Sequence, residues 1–169
     1  MNSEEFRRAR EYAAWILVAA AAVRVFLGAW TLSGVPGGPG AGFVFNSGSV
    51  FGSATVAPFW LRGETSFPDL VAFTVTVLPV AAVLLVALVG RPPAAAHRIT
   101  QIAVIVQAVA LALGLVAWVA VLGKTGRWLP VSWAVDIAVA VAGLILTNAV
   151  LRSLRAEARA RPGVGARKR

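Results

Sequence analysis

Residues 99–123 read ITQIAVIVQAVALALGLVAWVAVLG, and this stretch decides the class of fold. It contains 25 consecutive residues without a charged side chain. A helix needs about 20 mostly apolar residues to cross a bilayer. Because the backbone in lipid must pair within its own segment, and because the stretch lacks the alternation of a barrel strand, it predicts a transmembrane helix.

Three further stretches have the same character. Residues 70–90 carry no charge, residues 12–32 are interrupted only by Arg24, and residues 129–151 only by Asp136. The whole chain of 169 residues is 59% hydrophobic and 14% charged, against about 45–50% and about 25% in soluble domains. We therefore expect an all-α membrane protein: a four-helix transmembrane domain over residues 1–151, followed by a basic cytoplasmic tail over residues 152–169.

The basic residues predict the orientation of these helices. Both termini and the loop around residue 97 would carry twelve of the sixteen Lys and Arg residues, and the opposite loops only three. An excess of basic residues marks the cytoplasmic side, so we expect a plasma-membrane protein with both termini inside. The basic tail should contact the anionic inner leaflet through Arg152, Arg155, Arg159 and Arg161. Since orientation and lipid account for the net charge of +9, we do not expect nucleic acid as a partner.

The long outer connection, residues 33–69, begins with a Gly- and Pro-rich spacer. Two short β-prone runs, residues 43–45 and 50–51, flank the turn-forming residues 46–49 and allow a short β-hairpin. An isolated hairpin is marginally stable, so it would have to rest on the helices or the membrane surface. The connection could serve as a structural lid or as a loop that grips a substrate, and we favour the lid.

Polar residues within the predicted spans are the sharpest candidates for a site. Arg24 and Asp136 lie at similar depth, and small or polar residues share one face with each of them. The third span adds Gln107, on a stripe with Ala103, Ala110, Gly114 and Ala117, and the fourth adds Thr147. We expect Arg24, Gln107, Asp136 and Thr147 to meet in the bundle centre, with water or Gln107 between the two charges because their side chains lean in opposite directions. The alternatives are a structural lock, a proton or solute relay, or pairing with another subunit.

Other chemistry has little support in the sequence. There is no Cys, and the single His97 stands beside Arg98 in a predicted turn. No two carboxylates have the spacing of a glycosidase or a metal site, and no nucleophile-elbow pattern occurs. We expect neither an enzyme nor a cofactor or metal.

Two weak resemblances accompany these patterns. Residues 101–107 (QIAVIVQ) through 123, and residues 140–147 (AVAGLILT) through 153, resemble uncharacterised four-helix membrane proteins of actinobacteria. That resemblance implies a plasma-membrane setting and no defined activity. The Arg24-x-x-x-Gly28 pattern is similar to small DoxX-type proteins, but the acidic residue expected on their second helix is missing from residues 70–90 and the outer loop is much longer.

Taken together, the sequence predicts an interaction or accessory component of the plasma membrane. Its partners would be the lipid bilayer and either further copies of the chain or a larger membrane complex. The alternative is a small oligomeric transporter or channel that uses Arg24 and Asp136.

Overall fold

The computed structural model describes residues 3–34, 43–44, 55–56, 58–88, 95–125 and 131–160. Five helices account for nearly all of them: α1 (Ser3–Ser33), α2 (Phe59–Val71), α3 (Phe73–Ala87), α4 (Ala96–Thr125) and α5 (Val131–Ala160). Because α2 and α3 follow each other directly, the chain has four helical segments long and apolar enough to cross a membrane: Glu4–Ser33, Phe59–Ala87, Ala96–Gly123 and Ser132–Ala156. The predicted all-helical class with four such helices is confirmed.

The start of α1 agrees with the local sequence. The helix begins at Ser3, with Glu4 and Glu5 in its first turn. Acidic side chains in this position interact favourably with the unpaired N–H groups and the positive end of the helix dipole. At the other end of the chain α5 continues to Ala160, so the first part of the basic tail extends the last helix.

The second segment differs most from the prediction. It begins at Phe59 rather than at residue 70, which shortens the predicted outer connection of residues 33–69. It is also interrupted at Ala72, whose φ of −51° and ψ of 149° are those of extended backbone. Pro79 lies inside α3, seven residues after the interruption.

The hairpin predicted in the outer connection is not supported. Its turn and its second arm, residues 46–51, lie outside the described residues. Phe43–Val44 (β1) instead forms a two-residue antiparallel pairing with Thr55–Val56 (β2), in the register Phe43 to Val56 and Val44 to Thr55. The partner of the first arm is thus a different segment from the one that the turn residues indicated.

The packing order of the helices decides which side chains can meet. In the described part of the chain α1 contacts α2, α3 and α4, whereas α5 contacts α3, α4 and the edge of α2. No Cα atom of α1 lies within 8 Å of one of α5 among these residues. The α2–α3 segment and α4 each contact every other helix and lie between α1 and α5, which are on opposite sides of the bundle.

Two clusters of buried side chains fill the interior. One surrounds Phe67, Leu70 and Val71 near the loop between α1 and α2. The other surrounds Val18, Val83 and Ile99 and lies nearer the N-terminal end of α1. Small residues bring the backbones together: a Cβ at Gly63 would lie 2.9 Å from the Ala117 carbonyl oxygen, so α2 and α4 can approach this closely only with glycine there.

Candidate functional site: an ion pair at the edge of the bundle

Arg24 pairs with Asp69, not with Asp136. Its Nη1 lies 3.8 Å from Oδ1 of Asp69, on α2. Gly28, one turn further along α1, makes this meeting possible, because a Cβ there would come within 2.8 Å of Leu70 Cγ and 3.3 Å of Asp69 Cβ. The close approach of α1 and α2 at Gly28 therefore brings the guanidinium within reach of the carboxylate.

Both charges lie deep along their helices. Arg24 precedes the end of α1 by nine residues, about 14 Å at the standard helical rise. Asp69 follows the start of α2 by ten residues, about 15 Å. The two ends adjoin the same connection, so the ion pair is level on the two helices and sits about halfway along a bilayer-spanning segment.

The ion pair faces outwards. The Arg24 side chain is 51% exposed and that of Asp69 is 45% exposed. Exposed apolar residues adjoin each charge in the sequence: Val23 is 58% exposed, and Pro68 is exposed on α2. In water such a pair contributes about 0–1 kcal/mol to stability, but a lone charge at mid-bilayer costs at least about 2.5–3.5 kcal/mol. In lipid the ion pair therefore stabilises the chain, and the exposed part of each charged side chain still requires a polar partner.

The helix interruption lies beside this pair. Ala72 donates its N–H to the Pro68 carbonyl and so closes α2, and its own carbonyl accepts from Val75 in the first turn of α3. The Thr76 N–H also donates to the Ala72 carbonyl, at 3.4 Å, so Ala72 caps the end of α2 and the start of α3. The second segment is thus a discontinuous helix whose break adjoins the two charges.

A second polar group lies in the bundle core. Gln107 on α4 is buried and donates from Nε2 to the Thr76 carbonyl of α3, at 3.3 Å. Its Oε1 is buried and has no hydrogen-bond partner among the described residues. Gly143 of α5 completes the contact, since a Cβ there would lie 2.6 Å from Thr76 Cγ2 and 3.5 Å from Gln107 Nε2. Thr147 is fully buried, and its hydroxyl donates a hydrogen bond to the Gly143 carbonyl, at 2.8 Å.

The four predicted polar residues therefore divide into separate places. Gln107 and Thr147 lie in the core, on either side of Gly143, whereas Arg24 lies on the outer edge with Asp69. Asp136 is half-buried on α5, and no ion pair joins it to another residue in the described ranges. The predicted Arg24–Asp136 meeting fails because α1 and α5 do not touch there.

The predicted faces of the helices have mixed outcomes. On α4 all five residues of the predicted stripe are buried: Ala103, Gln107, Ala110, Gly114 and Ala117. On α1 the spacing places Ala20, Arg24, Gly28 and Thr31 on one face, and of these Gly28 and Thr31 are buried but Ala20 and Arg24 are exposed. On α5, Ala140, Gly143 and Thr147 of the face that holds Asp136 are buried, whereas Ser132 is exposed, so the predicted inward face is complete only on α4.

Arg62 was missed as a partner of α1. Its Nη1 donates to the Leu32 carbonyl at 3.0 Å, and the guanidinium carbon lies 5.5 Å from the centre of the Phe59 ring. Gly34 follows with a φ of +71°, the left-handed conformation that commonly ends a helix. No basic residue occurs in the last turn of α1, so Arg62 brings a positive charge from α2 to the negative end of its dipole.

The basic tail is only partly described. Arg152 and Arg155 are exposed on α5, Arg159 lies on the same helix, and Arg161 is outside the described residues. Asp69 was missed because the sequence assigned it to the outer connection. It lies on the second helical segment, where it pairs with Arg24.

Comparison with known protein families, curated proteins and solved structures finds no match to this chain. The resemblances drawn from the sequence remain predictions.

Proposed function

We propose that this chain is a multi-pass plasma-membrane protein that acts as an interaction or accessory component of a membrane assembly. The observation that carries this proposal is the half-exposed Arg24–Asp69 ion pair on the outer edge of the bundle. Charges at membrane depth that line a path would face inwards, whereas these two face the surroundings. A contact with another membrane protein would cover them and remove the cost of their exposure to lipid.

The setting of the proposal comes from the distribution of charge. Four helical segments suit a multi-pass membrane protein, and the arginine-rich segments favour a cytoplasmic side for both termini. Because the chain has no Cys, single cysteines introduced as His97→Cys and Gly123→Cys can report on the two sides. In intact cells a membrane-impermeant maleimide should label the second variant and not the first. Labelling of His97→Cys alone would invert the topology.

The main test compares the native complex of the wild type with that of the double variant Arg24→Leu/Asp69→Leu. This variant removes both charges and leaves neither one unpaired. Solubilised in a mild detergent, the wild type should migrate as a complex larger than one 17.6 kDa chain, and the double variant as a single chain. Glu64→Gln, an exposed change on the same helix, should leave the complex intact. A double variant that stays in a complex of wild-type size would rule out this edge as the contact.

One observation favours the alternative of a small oligomeric transporter or channel. Broken helices beside charged side chains form binding sites in many transporters, and the break at Ala72 adjoins Asp69. Asp136 has no part in this alternative, since it lies on the far side of the bundle from Arg24. Proton entry into liposomes under an imposed potential separates the two functions: flux that is lost with Asp69→Asn, in protein of unchanged size, would favour transport.

A further inference from the structure

The arrangement of charge on the α1–α2 edge carries an inference about the identity of the partner. It rests on the proposed interaction function and names the occupant of the same surface. We propose that the α1–α2 edge, defined here as Arg24, Asp69 and their exposed neighbours Ala20, Val23 and Pro68, is the contact between two copies of this chain. The copies are related by a two-fold axis along the membrane normal.

The α1–α2 edge of one copy is complementary in charge to the same edge of a second copy. The edge carries one positive and one negative group, side by side on neighbouring helices and level along them. A two-fold axis along the membrane normal keeps the depth of each group and reverses their lateral order. Arg24 of each copy then faces the partner subunit's Asp69, so the surface is its own electrostatic complement. A different partner would need to supply both charges at this depth, in the opposite order.

The ion pair within one copy leaves both charged side chains able to make a further contact. A separation of 3.8 Å is long for a charge-assisted hydrogen bond, which is about 2.7–2.9 Å. About half of each side chain is left for a further contact. In the dimer each carboxylate lies between two guanidinium groups and each guanidinium between two carboxylates. The four charges form a closed ring that is shielded from lipid, which one copy alone does not achieve.

The residues around the ion pair allow two copies to approach closely. Ala20 is exposed about one turn before Arg24, and Ala72 is half-exposed about one turn after Asp69. Small side chains at such positions allow helices of two chains to approach closely, and the interaction in lipid depends on that approach. Val23 and Pro68, each next in sequence to one of the charged residues, add exposed apolar surface to the edge.

The test exchanges charges between differently tagged copies expressed together. Arg24→Asp makes the edge wholly acidic, and Asp69→Arg makes it wholly basic. Each variant should associate with itself at least about tenfold more weakly than the wild type does, which corresponds to about 1.4 kcal/mol. An acidic chain combined with a basic chain should recover the association. The stoichiometry is measured by native mass spectrometry or by stepwise photobleaching of labelled chains.

The doubly exchanged chain, Arg24→Asp/Asp69→Arg, sharpens the test. It retains an ion pair within the chain, so it should fold, and it should associate with itself. It should not associate with the wild type, because like charges then face each other across the axis. The controls are Glu64→Arg and Arg152→Asp, which make comparable charge changes at exposed positions outside the edge and should leave association unchanged.

Two results would overturn the proposal. One is recovery by neither the mixed chains nor the doubly exchanged chain, although all are helical by circular dichroism. The other is equal association of the doubly exchanged chain with itself and with the wild type. If the copies do not self-associate while Arg24→Leu/Asp69→Leu still reduces a larger native complex to a single chain, the partner is another protein and the proposed function stands. If Arg24→Leu/Asp69→Leu changes neither the self-association nor the size of the native complex, both proposals fail.

Discussion

The α1–α2 edge and the core around Gly143 both hold polar groups within helical segments that are long and apolar enough to cross a membrane, but the two regions satisfy these groups in opposite ways. In the core Gln107 is neutral, buried and bonded to a backbone carbonyl, and Thr147 bonds within its own helix. At the edge Arg24 and Asp69 are charged, half-exposed and joined by one long contact. The core group fixes how helices of one chain pack, whereas the edge group has capacity for a contact outside the chain.

The difference also shows in what the neighbouring glycines do. Gly143 lets α3 and α5 close around an amide side chain, so the polar atoms are enclosed on all sides. Gly28 brings α1 against α2 beside the charges, but the charges stay at the rim of the contact. Close helix packing at Gly143 therefore buries the polar atoms, whereas close packing at Gly28 leaves the charged groups exposed.

The largest expected effect is the loss of one charge at the edge. Asp69→Leu leaves Arg24 at membrane depth without its carboxylate, and it should lower the free energy of unfolding by about 3 kcal/mol. Arg24→Leu/Asp69→Leu should recover most of this loss, because no charge is then stranded. The measurement is reversible unfolding in mixed micelles of mild and denaturing detergent.

Asp136→Leu is the matched control for this prediction. It removes an acidic residue from the fourth helical segment, on a helix that does not contact α1 within the described ranges. It should cost less than Asp69→Leu, and combining it with Arg24→Leu should give no recovery. If Asp136→Leu were the more harmful variant and Arg24→Leu rescued it, the pairing described above would be wrong.

The next effect in size concerns the core. Gly143→Leu introduces a side chain whose first carbon alone would lie 2.6 Å from Thr76 Cγ2, so α3 and α5 must separate. We expect a loss of about 2 kcal/mol in the same unfolding measurement, the usual cost of overpacking. Gly123→Leu is the control, because a Cβ at that position meets nothing within 4 Å in the described structure. An equal cost for both variants would show that the core is not tightly closed around Gly143.

The sequence predicts the core far better than the edge, for physical reasons. A face of small and polar residues on α4 is buried because α4 contacts every other helix, so almost any arrangement of four helices would enclose it. The pairing at the edge depends on which helices are neighbours, and no periodicity within a single helix contains that information. Arg24 was therefore assigned to a partner on a helix that α1 never reaches in the described structure.

Helix α2 was missed although its pattern is present in the sequence. Its buried residues follow the spacing of an amphipathic helix: Gly63, Ser66, Phe67, Leu70 and Val71. The charges of Arg62, Glu64 and Asp69 hid this pattern from a search for apolar runs. Two of these charges have partners on α1, the Leu32 carbonyl and the Arg24 guanidinium, and such partners appear only when the helices are packed together.

The smallest expected effect tests whether the core hydrogen bond stabilises the chain at all. Gln107→Leu removes one hydrogen bond to the Thr76 carbonyl, and such bonds in membrane proteins contribute about 0.6 kcal/mol on average. It also removes the buried Oε1, which has no partner, and this gain offsets part of the loss. The net change in unfolding free energy should stay below about 1 kcal/mol and leave self-association unchanged. A loss as large as that of Asp69→Leu, or a weaker dimer, would place Gln107 in the same functional group as the edge and remove the distinction between the two regions.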